Sequence, residues 1–407
     1  MGDWMICLQP RLSEIEICLA DVPRDILSLI LSKLFFKDHC NFKLVCKSWN
    51  LICPVWPPLP LPIDSPEFRS PCLMIPHRSN CSWKIFHSLF NNSYYLEFPE
   101  LVDTEILYSK YGWLLMSKDE LTIFFFNPFT REKIKLPPTT KSFLSICFTS
   151  PPTSSNCIIF GILSTEIRNH IDFSFIKVGD EEWKSKSFIT YPDIVISNCP
   201  PVFLNGVYYC LECKFRNIMT FDLTKEEYEC MLIEYDKCSE ESTSVNEEKE
   251  EEENEDEDDN CSEESTSVNE EEDGEEGEED EEEDKGPPIT HESYMVEVDG
   301  DIWCVFVTSN ERRVSIQKLD LSKKRWIKIE SLGDKCLYIS INGSFAETSN
   351  VGGTANKIYF NKFYGKSGVM YSMTSRRYYS IGGGFASKDA YELTEVDYGV
   401  WLEPTLD

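Results

Sequence analysis

One short pattern recurs along most of the chain and limits what it can fold into. "TREKI" begins at Thr130, "GDEEW" at Gly179, "TKEEY" at Thr224, "SKKRW" at Ser322 and "TSRRY" at Thr374. Each copy has a small residue, three mostly charged residues, then an aromatic or Ile. Each follows an apolar run and opens another. The steps between copies are 49, 45, 98 and 52 residues. A 47-residue acidic run, 238–284, interrupts the third step, and removing it turns 98 into 51. "SNCSW" at Ser79, 51 residues before Thr130, reads as a weaker sixth copy. The runs between copies are short and rich in Ile, Val, Phe and Tyr. Turn dipeptides punctuate them: "YG" at 111, "NG" at 205, "DG" at 299 and "NG" at 342.

A period near fifty with about four short strands per unit is the signature of a β-propeller blade of kelch-like size. The pattern therefore predicts a mainly β fold over 66–407, a propeller of about six blades. The charged tripeptide is a hairpin tip, and the aromatic starts the outer strand. A pair of irregular β-sandwiches is the competing arrangement. A propeller leaves two open edges unless its first and last blades join, and open edges invite aggregation. The copy near Ser79 is incomplete, and "YGVWLEP" remains after the last full copy. Residues 398–403 are thus expected to add a strand to the blade begun around 71–98. Its side chains should alternate between buried and exposed, with Trp401 a buried anchor.

The net charge of −32 belongs to one segment: residues 238–284 hold 28 Asp and Glu against one Lys, a net −27. Burial there cannot offset ordering entropy, so the segment is expected to stay disordered. "CSEESTSVNEE" occurs at 238 and again at 261, a tandem duplication. Ser244 and Ser267 each have Glu three residues on, the context of an acid-directed kinase. The remaining 360 residues are close to neutral and show no basic patch, which argues against nucleic acid as a partner. The 17 cysteines are scattered and odd in number, and many lie inside apolar runs, as Cys46, Cys147, Cys210 and Cys304 do. There a thiol acts as a small hydrophobe. No apolar run approaches the roughly 18 residues of a membrane span, and no signal-peptide pattern opens the chain. The expected location is a reducing compartment, nucleus or cytoplasm.

Metal, cofactor and catalytic signals are not found in the residue pattern. His39, His77, His87, His170 and His291 form no metal spacing. Cys210 and Cys213 make one C-x-x-C, but on a strand residues three apart point to opposite faces, and no second pair follows at zinc spacing. No Ser-His-Asp or Cys-His arrangement can be argued from order alone.

The N-terminal region has a different period. Pro23 pre-sets a helix start, and Asp21 and Asp25 favour that end electrostatically. Ile26, Leu27, Ile30, Leu31 and Leu34 follow as a wide apolar stripe. A second helical stretch carries Phe42, Val45, Cys46, Trp49 and Ile52, and the prolines of "CPVWPPLPLP" end it. A unit below about 40 residues rarely folds without help, so this one predicts a partner. "DVPRDILSLILSKL" followed by "FKLVCKSWN" resembles an F-box, matching at Pro23, Asp25, Ile30, Leu31, Lys33, Leu34, Val45, Cys46, Lys47 and Trp49. Val22 stands where Leu is usual, and His39 where an apolar residue is common; both departures fall on or near the expected adaptor face. The resemblance implies docking on the small adaptor subunit of an SCF-type cullin–RING ubiquitin ligase, and through it on the cullin and RING subunits. It also implies that Val22, Pro23, Ile26, Leu27, Ile30, Leu31, Leu34, Val45, Cys46 and Trp49 form or support the contact. Some of these must instead hold the helices together.

The region after residue 66 resembles the plant KIB-type β-propeller that commonly follows an F-box. The resemblance rests on "YSKYGWLLMS", "FFNPFTREKIKLPP", "NKIYFNKF", "GVMYSM" and "YGVWLEPTLD", in that order. The implied organisation is a tail (1–18), an F-box (19–55), a Pro-rich linker (56–65) and a propeller (66–407) interrupted by the acidic insertion 238–284. The implied function is that of a non-catalytic receptor subunit whose propeller binds a protein substrate for ubiquitination. A scaffold or inhibitor acting through the propeller and acidic arm, without target degradation, is the alternative. A propeller enzyme is the third reading, and no constellation supports it.

Overall fold

The computed structural model describes residues 22–34, 42, 45–52, 70–77, 81–88, 91–165, 169–190, 194–213, 216–233, 291–308, 312–349, 352–364, 367–381 and 397–403. The tail 1–18, the linker 56–65, the acidic run 238–284 with Ser244 and Ser267, and His39 lie outside them.

The strands build six sheets among the described residues, one per blade, and the antiparallel hairpins follow the chain. Blade 1 contains β1 (Cys72–Pro76), β2 (Ser82–His87) and β3 (Asn92–Glu97). Blade 2 is β4 (Thr104–Lys110), β5 (Trp113–Lys118), β6 (Thr122–Phe126) and β7 (Lys133–Lys135). Blade 3 is β8 (Phe143–Phe148), β9 (Ile158–Leu163), β10 (His170–Lys177) and β11 (Lys184–Ile189). Blade 4 is β12 (Val202–Leu204), β13 (Val207–Leu211), β14 (Ile218–Asp222) and β15 (Glu227–Met231). Blade 5 is β16 (His291–Val298), β17 (Asp301–Thr308), β18 (Val314–Asp320) and β19 (Arg325–Ile329). Blade 6 holds β20 (Lys335–Ile339), β21 (Phe345–Thr348), β22 (Lys357–Tyr364), β23 (Ser367–Ser372) and β24 (Arg377–Ser380), with β25 (Asp397–Tyr398) paired to β22. The last strand, β26 (Val400–Leu402), returns to blade 1.

Burial follows position in the blade. β5, β9 and β13 are nearly continuous apolar runs because neighbouring blades cover both their faces. The outer β7, β11, β15 and β19 include exposed positions throughout. Turn dipeptides 111–112, 205–206 and 299–300 sit between the first and second strands of blades 2, 4 and 5. Both residues of each turn have positive φ, as a two-residue hairpin requires.

The five repeat copies occupy one equivalent place, the hairpin before the outer strand. Asp222 Oδ1 accepts from the N–H of Thr224 at 2.8 Å, Asp320 Oδ1 from that of Ser322 at 3.0 Å, and Asn127 Oδ1 from that of Thr130 at 3.0 Å. Glu226, Lys324 and Arg376 then take left-handed φ at the same motif position. The aromatic that follows has a further task. Trp183 Nε1 donates to Pro137 O, Tyr228 Oη to Ile189 O, Trp326 Nε1 to Arg216 O and Tyr378 Oη to Arg312 O, at 2.8–2.9 Å. Each bond runs back to the preceding blade or its connection. The motif thus repeats an inter-blade clasp, using an apolar ring with a polar tip. Blade 2 has Ile134 there and clasps with Arg131, which donates to Glu97 O and pairs with Glu100 at 3.3 Å.

The ring closes as expected. β26 pairs antiparallel with β1, with Cys72 opposite Leu402, Leu73 opposite Trp401 and Met74 opposite Val400. The expected alternation of buried and exposed side chains is corrected: Val400, Trp401 and Leu402 are all buried. The alternation is instead between two cores. Val400 and Leu402 face the core with Leu114, Met116 and Phe126 of blade 2. Trp401 faces the core with Tyr338 and Tyr359 of blade 6, its ring edge-on to Tyr338 at 4.9 Å. An innermost strand has a blade on each side, so neither of its faces meets water.

Two further expectations change. Of "SNCSW", Cys81–Trp83 are described and lead into β2, one hairpin earlier than the other copies, because the inner strand of blade 1 comes from the far end of the chain. Blade 6 exceeds the four-strand pattern. β21 turns back inside β20, and β22 then runs parallel to β20. The tip of this extra hairpin meets blade 2: Ser109 N–H donates to Asn342 O at 2.7 Å, and Asn342 Nδ2 donates to Ile106 O at 2.6 Å.

Candidate functional site

Two regions collect the candidate residues: the N-terminal helices, and the propeller interior where the ring closes. Helix α1 (Arg24–Lys33) begins after the extended Pro23, whose carbonyl accepts the Leu27 N–H at 3.0 Å. Asp25 lies in its first turn, where a carboxylate complements the helix dipole. Helix α2 (Lys47–Ile52) follows.

The apolar stripe divides into two faces. Leu27 and Leu31, four residues apart, are buried with Phe42, and Val22, Leu34 and Trp49 pack against them. The Phe42 and Trp49 rings are 4.6 Å apart. Ile26 and Ile30, one residue round the helix, stay 45% and 38% exposed, and Val45 is 42% exposed. Leu29 and Leu51 are also exposed and extend the apolar surface beyond the residues marked in the sequence. Pro23 is exposed and Cys46 half-buried. Of the ten marked positions, Leu27 and Leu31 with their half-buried neighbours therefore hold the helices together. Ile26, Ile30 and Val45 present an outward face. Phe42, the hub of the small core, was legible as part of the second stripe.

Where the ring closes, burial shifts the ionisable groups most. β21 carries Glu347, whose carboxyl is pushed up to about 7, first by burial and then by the charge of Glu403. Glu403, just after β26, is itself raised, chiefly by burial, although Tyr111 N–H donates to its Oε2 at 2.6 Å. Ser109 Oγ donates to Trp401 O at 2.7 Å, so β4 is tied to the closing segment as well as to the inner hairpin. Cys199 and Cys336 are pushed up to about 12 and 11 by burial, the behaviour of inert packed thiols rather than nucleophiles. Cys210 is buried in β13, and Cys213 is exposed in the turn that follows it. His87 is buried, stacked on Tyr94, and lowered to about 4 by burial. Among the described residues no group of three His, Cys, Asp or Glu is arranged to hold a metal ion.

These features define a class: a six-bladed β-propeller, closed by its own C-terminal strand, with a two-faced helical module at its N-terminal side in the sequence. The KIB1-4 beta-propeller family matches residues 85–381, and the F-box domain matches residues 19–54. The chain belongs to the plant KIB1-4 beta-propeller family and carries an F-box domain ahead of the propeller. The F-box/kelch-repeat protein At1g57790 of Arabidopsis thaliana is 26% identical over 368 residues, 88% of each chain. The F-box protein At4g00893 of the same plant is 24% identical over 387 residues, 88% of this chain and 80% of that one. A third Arabidopsis thaliana relative, the F-box protein At3g56470, is 31% identical over 201 residues; the match spans 47% of this chain and 50% of that one. Among solved structures, BBS1N in complex with ARL6DN matches 74% of this chain and 72% of that one at 9% identity, with a TM-score of 0.34. The family match omits β1 and β26, the two strands that close the ring.

Proposed function

We propose that the protein is the substrate-recruiting subunit of an SCF-type cullin–RING ubiquitin ligase. Its F-box docks on the small adaptor subunit, and its propeller holds a protein target. It is non-catalytic: it places target lysines near the ubiquitin carried by other subunits, and proximity is its contribution. The observation that carries this reading is the two-faced helix. Leu27 and Leu31 complete an internal core, so the exposed apolar Ile26, Ile30 and Val45 are left for a partner. The described cysteines are free thiols, most of them buried, in keeping with a nuclear or cytoplasmic protein.

The test follows from the same division. Ile26→Asp with Ile30→Asp should abolish co-purification with the adaptor while the helices and the propeller melt stay unchanged. Replacing Leu31 with Asp is a poorer probe, because it breaks the internal core. Undiminished adaptor binding in the Ile26/Ile30 variant sinks the contact surface. A target whose turnover does not depend on the F-box points instead to a scaffold or inhibitor.

A further inference from the structure

A cavity of about 430 Å³ lies beside the closing strand, lined by blades 1 and 2 and by the β20–β21 hairpin tip. Its walls are largely apolar: Trp83, Ile106, Ile341 and Val400 contribute. Its charged groups are carboxylates. Asp103 and Glu105 line it, both are exposed, and neither makes an ion pair with any described residue. Asn361, only 3% exposed, also lines it. The Nδ2 of Asn361 donates to Gly399 O at 3.2 Å, while its Oδ1 accepts from no described residue. No Lys or Arg is among the lining residues; His77 is the one basic side chain there.

We propose that this cavity binds a cationic side chain, lysine or arginine, from an apolar-flanked segment of the protein target. This rests on the substrate-receptor reading and names the chemistry of its target. Three features match such a side chain. The apolar walls suit its methylene stem, which buries readily while the head stays polar. The two exposed carboxylates supply charge complementarity, and a charge-assisted hydrogen bond is about twice as strong as a neutral one. The unpaired Asn361 oxygen is a buried acceptor that costs free energy until an N–H reaches it. A neutral head gains the stem burial and a weaker hydrogen bond but not the charge pairing, and an acidic head meets repulsion, which makes the site selective.

The test uses the full-length chain purified with its adaptor. The probes are fluorescein-labelled short peptide libraries with a fixed central residue between two leucines and Ala, Ser or Gly elsewhere. The central residue is Arg, Lys, citrulline, Gln or Glu, and anisotropy reads binding. The Arg and Lys libraries should bind at least about tenfold more tightly than the other three, with an advantage that shrinks in high salt. Asp103→Asn with Glu105→Gln should remove that advantage without changing the melting temperature. Asn keeps the left-handed backbone that Asp103 adopts, at φ 56°. Ile341→Lys, at an exposed position on the cavity rim, should compete for the carboxylates and give the same loss. Equal binding of all five libraries, or a cationic preference that survives both variants, overturns the proposal. Adaptor co-purification is scored on the same samples, so loss of the cavity proposal and loss of the receptor reading give different results.

Discussion

Removing the closing strand tests most directly how the ring holds. A chain ending at Tyr398 lacks Val400, Trp401 and Leu402, each no more than 1% exposed. Full burial of an aliphatic side chain contributes about 1.5–3 kcal/mol, and truncating a core Trp costs about 3–5 kcal/mol. The three together amount to about 6–11 kcal/mol. A whole domain is stable by only about 5–15 kcal/mol, so the loss is comparable to the total. The truncation also opens two cores, exposing Met74 on one side and Tyr338 on the other, and it frees the inner edge of β1. The expected result is aggregation on size exclusion, or a melting transition far below that of the full chain by near-ultraviolet circular dichroism. Point variants grade the effect. Trp401→Ala should cost about 3–5 kcal/mol. Trp401→Phe should cost less than half of that, because Trp401 Nε1 is buried and donates to no described residue; removing it relieves a penalty of about 1–3 kcal/mol. A soluble truncate with an unchanged melt, or a Phe variant as damaged as the Ala variant, would refute this account of closure.

The repeated clasp predicts that Tyr228→Phe and Trp326→Phe each lose one inter-blade hydrogen bond, about 0.5–1.5 kcal/mol by urea unfolding, Trp326 adding a packing loss; an unaffected Tyr228→Phe removes the clasp as a stabilising device. Gly343→Ala should destabilise by more than about 1 kcal/mol, because φ there is 128° and a Cβ would stand 2.5 Å from Ser109 O; a neutral Ala variant means the hairpin tip is not held against blade 2. Glu347 has a folded pKa of about 7, above its ordinary 4.5, so the fold favours the protonated carboxyl. Its contribution is complete below pH 4.5 and is lost as pH rises through 7. Glu347→Gln should therefore match the parent melting temperature at low pH and exceed it at about pH 8, and parallel curves would contradict the burial argument.

What was legible in the sequence is what is settled locally. The tripeptide-plus-aromatic signal marks blades because most outer hairpins draw on the same parts within a few residues. Those parts are an Asx or hydroxyl side chain to hold the turn, a residue that tolerates left-handed φ, and a ring that clasps the preceding blade. The helical stripe was legible for the same reason, but its division was not. Ile26 and Leu27 are chemically alike and adjacent, and only the arrival of Phe42 and Trp49 on one side makes Leu27 internal. The misplaced sixth copy shows the limit from the other direction. Ser79 lies in phase with the repeat in the sequence, yet blade 1 takes its inner strand from Val400–Leu402, which moves the equivalent hairpin one strand along. β21 was illegible too, since Asn342–Gly343 announces a turn but not that the turn reaches Ser109 across the ring. The cavity beside the closing strand is the extreme case. Asp103 and Glu105 stand in blade 2 and its approach, Asn361 in blade 6 and Trp83 in blade 1, and no motif links them. They share a cavity only because the two ends of the propeller meet. A residue change that opens the ring should therefore remove cationic selectivity together with stability, whereas Asp103→Asn with Glu105→Gln should remove selectivity alone.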